Sequence, residues 1–115
     1  MPSLDDILKL PCGAIWLKAD LHVHTPASAD FHDEISPDDI VHTALEKGLN
    51  LIAITDHNTA AWCDRVVEAG RGTDLTVFPG VEISTHQGHM LAIFETDTPS
   101  TRIEDLLIKL GIPRE

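Results

Sequence analysis

The stretch from Leu49 to His57, LNLIAITDH, decides the fold class of this chain. Up to its threonine it is apolar on both faces, which is typical of a strand buried in a parallel sheet. Helices are predicted on either side: Ser36 caps one that Gly48 ends, and Asn58 or Thr59 caps the next. Strands that alternate with helices at this spacing predict an α/β domain built from βαβ units.

The alternation continues in both directions along the chain. The other predicted elements are a short helix over Ser3–Leu10, strands over Ala14–Val23 and His89–Phe94, a strand region over Leu75–Phe78 and Val81–Ile83 that Pro79 and Gly80 interrupt, and a last helix capped by Ser100. No linker or low-complexity tract divides these elements. We therefore expect a single domain over residues 1–115, in which residues 1–13 form an N-terminal extension.

Length and charge narrow the classes of function. A chain of 115 residues has room for one small domain. Its 19 acidic and 8 basic residues give a formal net charge of −11, which argues against a basic surface that grips nucleic acid and against a polybasic membrane anchor. We find no signal peptide and no apolar run of the ~20 residues that a membrane span needs, so a cytoplasmic location is expected. Cys12 and Cys63 match no zinc or redox motif and are expected to be reduced structural thiols.

Histidines and carboxylates collect where the predicted strands end. Asp20, His22 and His24 alternate at the end of the first strand, so all three side chains are expected on one face. At this spacing the two histidines stand roughly 6–7 Å apart at the backbone, close enough to converge on one ion.

Later strands add further metal-ligand types. His57 follows the second strand, Glu82 lies near the end of the third, and His89 opens the fourth with His86 just before it. Since the loops after parallel strands form one rim, these residues are expected to gather there. Imidazole and carboxylate ligands without cysteine favour Zn²⁺, Mn²⁺ or Fe²⁺. More ligands than one tetrahedral ion needs indicate two or more metals, which could share a hydroxide nucleophile in a phosphoryl displacement.

Other polar and aromatic residues are given simpler roles. Asp20 and Asp56 are candidates for orienting histidines rather than for binding metal. His42, inside the second predicted helix, is expected to be structural or exposed. Trp16 and Trp62 are expected to pack rather than to form a platform for substrate.

Four motifs resemble, in family order, the first motif regions of the PHP (polymerase and histidinol phosphatase) domain. They are Asp20–Thr25 (DLHVHT), Ile54–His57 (ITDH), Pro79–Ile83 (PGVEI) and Gly88-His89. The resemblance implies a distorted seven-stranded β/α barrel, of which this chain would supply roughly the first four strands with their interleaved helices. It also implies a site of two or three divalent metal ions that hydrolyses phosphoesters.

The resemblance implies roles for single residues as well. His22 and His24 match the first pair of metal ligands, and His57 matches the ligand of the second motif. Glu82 matches the third-motif ligand that bridges metals. Glu82 and His57 are thereby the expected catalytic residues.

Two further ligands carry alternatives. Asp30 matches the spacing of a ligand in the loop after the first strand, with His32 and Asp33 as nearby alternatives. His89 aligns with a histidine that follows the third motif, for which His86 competes. The expected metal ligands are therefore His22, His24, Asp30, His57, Glu82 and His89.

The chain departs from the family pattern after Glu82. The family completes its site with further histidines and an Asp-x-His pair on later strands, and no Asp-x-His follows Glu82 here. A barrel built only in part would leave a parallel edge strand and apolar helix faces uncovered. We therefore expect an N-terminal piece of a longer chain whose C-terminal half completes the barrel. The alternatives are pairing with a second copy and a reduced domain that stands alone.

The expected function is metal-dependent hydrolysis of a phosphomonoester or phosphodiester through a metal-activated hydroxide. The substrate would be a small phosphoester or a nucleotide. The chain alone is expected to be inactive if the ligands of later strands are required. The alternative is a non-catalytic, metal-binding PHP module of a larger DNA-processing protein or ATPase.

Overall fold

A computed structural model of the protein describes residues 1–10, 13 and 15–113. Its elements, in chain order, are α1 (Leu4–Leu8), β1 (Ala19–Val23), α2 (Pro37–Glu46), β2 (Leu51–Ile54), α3 (Cys63–Gly70), β3 (Thr76–Thr85), β4 (Gly88–Ile93) and α4 (Ser100–Lys109). The predicted strand start at Ala14 and the predicted role of Cys12 lie outside the described residues. Residues 15–18, which were expected in the first strand, precede β1 without regular structure.

The four strands form one sheet in the order β1-β2-β3-β4. β1 with β2 and β2 with β3 pair in parallel, as the alternation of strands and helices predicts, whereas β3 and β4 pair antiparallel. The expectation of a parallel edge strand is therefore wrong at β4. Only His86 and Gln87 separate β3 from β4, and a parallel pair needs a crossover of about a dozen residues or more. The α/β class and the curled sheet of a partial barrel are confirmed.

β3 runs without a break through Pro79 and Gly80, where the sequence predicts an interruption. Residues Thr76–Pro79 pair with β2, and residues Gly80–Thr85 pair with β4. The strand therefore changes partners at this point instead of ending. Glycine is required where the strand changes partners, because a Cβ on Gly80 would lie 2.6 Å from the carbonyl oxygen of Ala92.

The starts of α2 and α3 show where local sequence signals hold and where they fail. Ser36 caps α2 through a capping box with Asp39, and Pro37 lies in the first turn, as predicted. α3 begins at Cys63, later than the sequence predicts. Asn58 has a φ of +52°, which lies outside the helical region, so the chain turns before the helix begins.

The starts of α1 and α4 likewise include one that the sequence predicts correctly and one that it does not. Ser3 caps α1 through a capping box, which confirms the predicted start of the first helix. α4 has Pro99 as its N-cap, so the prediction that Ser100 caps it is wrong. The Ser100 hydroxyl donates instead to Asp64 Oδ2 at 2.7 Å, because Asp64 on α3 lies within reach. In the described part of the chain, no helix combines the length and the apolar character that crossing a membrane requires.

The hydrophobic core fills the face of the sheet on which α2, α3 and α4 pack. Its buried members are Ile40, Val41, Ala44, Ile52, Ile54, Ala60, Cys63, Val66, Leu75, Val77, Val81, Ile83, Ile103 and Leu107. On the opposite face, Leu91 pairs with Glu82 and Ile93 pairs with Gly80, and both apolar side chains are exposed. This open face carries the polar side chains described below.

The predictions for Trp16, Trp62 and His42, which were expected to lie outside any site, are confirmed for two residues and wrong for one. Trp16 is 94% exposed, so the prediction that it packs is wrong. Trp62 packs against the core, with the Arg65 guanidinium 5.4 Å from its ring centroid. His42 is exposed and pairs with Glu46 at 2.8 Å, which confirms the expectation for that histidine.

Candidate metal centre

Glu82 lies at the centre of four histidines. Its side chain is only 4% exposed, and its two carboxylate oxygens face different pairs of imidazoles. Oε1 contacts Nε2 of His22 and lies 3.7 Å from Nε2 of His24. Oε2 lies 2.5 Å from Nδ1 of His57 and 3.3 Å from Nδ1 of His89. The carboxylate therefore links two halves of the cluster.

β1 supplies His22, and His24 follows directly after the strand; their Nε2 atoms lie 3.2 Å apart. The register against β2 shifts between Asp20 and Val23, since these residues pair with Ile52 and Ile54. Three steps along β1 thus match two steps along β2, which is a β-bulge.

The bulge overturns one expectation. Among the described residues, Asp20 belongs to none of the groups of converging donor atoms, and it lines a crevice of about 250 Å³ against α2 together with Val23 and His24. Its carboxylate accepts a hydrogen bond from the backbone N–H of His22 at 3.1 Å. Strict alternation along a strand places all three side chains on one face, and the extra residue of a bulge breaks that alternation.

His57 reaches the cluster from the turn that follows β2. A short parallel bridge joins His57 to Glu82, with the Asn58 N–H donating to the Glu82 carbonyl oxygen at 3.0 Å. The His57 ring presents Nδ1 to Glu82 and Nε2 to Asp30, whose Oδ2 lies 3.5 Å away. Asp30 is 64% exposed, so its carboxylate stands at the open side of the cluster.

Asp56 precedes His57 and is completely buried. Its carboxylate accepts hydrogen bonds from the Thr25 backbone N–H, the Thr25 hydroxyl and the Ser28 hydroxyl, each at 2.6 Å. Among the described residues it contacts no histidine ring, so the expectation that it orients a histidine is wrong. Asp56 fixes the loop after β1, because the three donors to its carboxylate come from that loop.

Ser84 is a site residue that the sequence analysis missed. Its Oγ lies 3.0 Å from Nδ1 of His57 and 3.0 Å from Nδ1 of His89. The residue two positions after Glu82 on a strand shares its face, so the strand period contained the signal. Ser84 holds two of the imidazoles in place.

The donor atoms form three overlapping groups, each with all its atoms within 4.8 Å of one another. The groups are His22-His24-Glu82, His24-Asp30-His57 and His57-Glu82-His89. All six expected ligands are brought together, and the alternatives His32, Asp33 and His86 belong to none of the groups among the described residues. Neutral imidazoles with carboxylates fit divalent ions such as Zn²⁺, Mn²⁺ or Fe²⁺. Each of the three groups brings its donor atoms close enough together to hold a metal ion.

Family comparison agrees with this geometry. The family model described as "PHP domain" matches residues 20–108, most of the chain and all six donors. The chain belongs to the PHP domain family. The matched part of this PHP chain therefore includes the strands and turns that build the cluster.

The relatives of this PHP chain are longer proteins that match it over part of their length. It is 39% identical over 69 residues to a 5'-3' exoribonuclease of Haemophilus influenzae, a match that covers 60% of this chain and 24% of the relative. A match to error-prone DNA polymerase 2 of Agrobacterium fabrum is 30% identical and covers 69% of this chain and 7% of the relative. The chain thus spans about a quarter of the length of the exoribonuclease.

A solved structure shares the fold of this PHP chain. A candidate metal-dependent phosphoesterase from Bifidobacterium adolescentis superposes with a TM-score of 0.62 at 30% sequence identity. The superposition covers 81% of this chain and 32% of that protein. The arrangement of strands and helices described above is therefore found in a larger protein.

Proposed function

We propose that this chain carries metal ligands of a hydrolase that cleaves phosphoesters. The observation that carries the proposal is the position of the Glu82 carboxylate between two pairs of imidazoles. One oxygen faces His22 and His24, and the other faces His57 and His89. A carboxylate that offers one oxygen to each of two imidazole pairs suits two neighbouring cations. Membership of the PHP family and the likeness to a candidate metal-dependent phosphoesterase support the same chemistry.

Six side chains would hold two or three divalent cations of Zn²⁺, Mn²⁺ or Fe²⁺. They are His22, His24, Asp30, His57, Glu82 and His89. Cations bound there would activate water at neutral pH and offset the charge that builds on phosphoryl oxygens. Glu82 and His57 are the proposed catalytic residues, as the family resemblance implies, and the short contact between Glu82 Oε2 and His57 Nδ1 supports their acting together. Ser84 is a positioning residue that fixes the rings of His57 and His89.

The proposed substrate is a phosphomonoester or a phosphodiester. The exoribonuclease relative supports a phosphodiester of RNA. A net charge of −11 favours a small phosphoester, a nucleotide or the end of a strand over a long polynucleotide bound along its backbone.

The proposed setting is the cytoplasm, which the free, buried Cys63 supports. The exposed Leu91 and Ile93 on the open face of the sheet support a covering partner. That partner would be the remaining half of the barrel or a second copy of this chain.

A second candidate function is a metal-binding PHP module without hydrolytic activity. The polymerase relative favours it, because the matched region is a small part of a much larger DNA-processing protein. This candidate requires the same ligands and predicts bound metal without ester cleavage.

The test is release of nitrophenolate from 4-nitrophenyl phosphate and from bis(4-nitrophenyl) phosphate, with Mn²⁺ and Zn²⁺ supplied in turn. We expect metal-dependent release by the wild type and a loss of at least about 100-fold in a His22→Ala/His24→Ala variant. Both histidines are partly exposed, so their removal leaves the core intact. His42→Ala is the matched control, since that exposed histidine pairs with Glu46 and belongs to none of the donor groups in the described structure.

The outcomes separate the two candidates. Stoichiometric metal in the purified protein without hydrolysis of either ester would favour the non-catalytic module. Undiminished hydrolysis in the double variant would contradict the ligand assignment. Cleavage of a 5'-phosphorylated oligoribonucleotide into mononucleotides would extend the substrate to RNA.

A further inference from the structure

A cavity of about 550 Å³ opens beside the metal cluster, between the β3–β4 turn and the end of α4. Its lining includes Asn58, Ser84, His86, His89, Ile112 and Pro113. Ser84 and His89 belong to both the cavity and the cluster. The volume lies in the range of pockets that bind small organic ligands. A molecule in this cavity would therefore touch the site where the metals are proposed.

Asn58 gives the cavity a hydrogen-bond donor that the fold does not use. The residue is only 3% exposed and has a φ of +52°. Its Oδ1 accepts the backbone N–H of Ser84 at 2.8 Å, which fixes the orientation of the amide, because only the oxygen can accept. The Nδ2 donor has no partner among the described residues. Among the described residues, Thr55 Oγ1 is the fully buried side-chain polar atom without a partner, so Asn58 Nδ2 keeps access to the cavity and can donate to a molecule there.

The other walls of the cavity are of two kinds. Ile112 and Pro113 provide an apolar surface at the end of α4. His86, in the β3–β4 turn, provides an exposed imidazole that belongs to none of the donor groups in the described structure. A group with an apolar ring and a polar edge matches this combination.

We infer that this cavity binds the organic group esterified to the phosphate of the substrate. The inference rests on the proposed phosphoesterase function. Asn58 Nδ2 donates to an acceptor atom on that group, and Ile112 and Pro113 contact its apolar face. The phosphate then lies toward His89 and Ser84, at the boundary with the cluster. Asn58 thereby determines specificity, while the metal ligands act on phosphorus.

The test uses three phosphonates that the enzyme cannot hydrolyse, titrated into the Mn²⁺-loaded protein and followed by calorimetry. Methylphosphonate presents the phosphonate alone, phenylphosphonate adds an apolar ring, and 4-acetylphenylphosphonate adds a carbonyl acceptor. We expect affinity to rise at each step. The acceptor should contribute about three- to tenfold, the range for one net hydrogen bond.

Asn58→Asp is the decisive variant. It keeps an oxygen for the Ser84 N–H and tolerates the positive φ, but it replaces the donor with an acceptor. We expect the gain from the acetyl group to disappear. A 4-(hydroxymethyl)phenylphosphonate, which can donate, should instead bind the variant more tightly than the acetyl compound does. A variant that merely folds poorly would not reverse this preference.

The outcomes keep the two proposals apart. Metal-dependent ester hydrolysis with equal affinity for all three phosphonates overturns the cavity assignment and leaves the proposed function standing. Graded phosphonate binding without any hydrolysis overturns the function and leaves the cavity standing. Equal weakening of every phosphonate in Asn58→Asp also overturns the role given to that amide.

Discussion

Asp56, in the turn after β2, and Glu82, at the centre of the histidine cluster, are two buried carboxylates that lie close together but have chemically different neighbours. The Glu82 backbone N–H donates to the Asp56 carbonyl oxygen at 2.9 Å. Asp56 accepts three short hydrogen bonds from Thr25 and Ser28. Glu82 faces four imidazoles. Oε1 faces the rings of His22 and His24, and Oε2 faces those of His57 and His89.

The difference shows that burial at a strand end does not make a carboxylate a metal ligand. Backbone N–H and hydroxyl donors occupy the carboxylate oxygens of Asp56, which gives this side chain a structural role. Imidazole nitrogens around Glu82 carry lone pairs that can bind a cation with it. The chemistry of the neighbours therefore assigns the role, and each of the two carboxylates can be tested by removing it.

The largest effect is expected from Asp56→Ala. This change leaves a buried backbone N–H and two hydroxyls without their acceptor, so the free energy of unfolding should fall by about 3–5 kcal/mol. Urea denaturation measures the loss. A fall below about 1 kcal/mol would mean that the loop after β1 does not depend on Asp56.

Glu82→Gln should change metal binding more than folding. The amide keeps the size of the side chain but removes the charge shared by the four histidines, so the affinity for Mn²⁺ should fall by about 100-fold or more. Calorimetric titration measures the affinity. Glu46→Gln is the control, because that exposed carboxylate pairs with His42 and belongs to none of the donor groups in the described structure. Equal affinities in wild type and Glu82→Gln would refute the bridging role.

Gly80→Ala tests whether close packing at the point where β3 changes partners is needed to hold Asp56 and Glu82 in their relative positions. The added methyl group would clash with the carbonyl oxygens of Ala92 and Ile54, which lie 2.6 and 3.0 Å from its position. We expect a loss of about 2 kcal/mol in unfolding free energy, as for an overpacked core. Urea denaturation and the His89 ring resonances in NMR spectra would report the shift of β4. A variant as stable as the wild type would contradict the close packing.

The smallest effect concerns pH and a thiol beside the Asp56 turn. Burial, followed by the charges of Asp56 and neighbouring acids, raises the pKa of Cys63 from 9.0 to about 12. The unfolded thiol ionises first, so the stabilisation is complete below pH 9 and is lost as pH rises toward 12. At pH 10 the loss should reach about 1.4 kcal/mol.

Comparison of the wild type with Cys63→Ala over pH 8 to pH 11 isolates this contribution, since other titrating groups are common to both. The variant should lack the alkaline decline that is due to the thiol. Parallel stability curves for the two proteins would contradict the effect of burial on the pKa of Cys63.

Much of the candidate site could be predicted because its residues follow local rules. Ser36 and Pro37 signal a helix start through their own side chains. His57 and Glu82 were placed at one rim because parallel strands end at the same edge, and the structure brings them together. The choice of Asp30 over its neighbours depends on how the loop after β1 folds back, which the sequence pattern does not contain.

Other features depend on tertiary pairing and could not be predicted from local patterns. Pro79 and Gly80 carry a strong turn signal, but pairing with strands on both sides keeps β3 extended. The direction of β4 was missed because an alternating strand pattern is the same for parallel and antiparallel partners. Asp20 was misplaced because a bulge leaves no mark in hydrophobic periodicity.

The exchange of partners along β3 has a consequence for the order of folding. Two residues separate β3 from β4, whereas the whole of α3 lies between β2 and β3. Short loops close faster than long ones, so the hairpin that carries Glu82 and His89 should form before β2 docks beside it. His57 then arrives with β2, and His22 and His24 arrive with β1. The site is thus expected to assemble from its C-terminal side, in the reverse of the order in which the ribosome makes it.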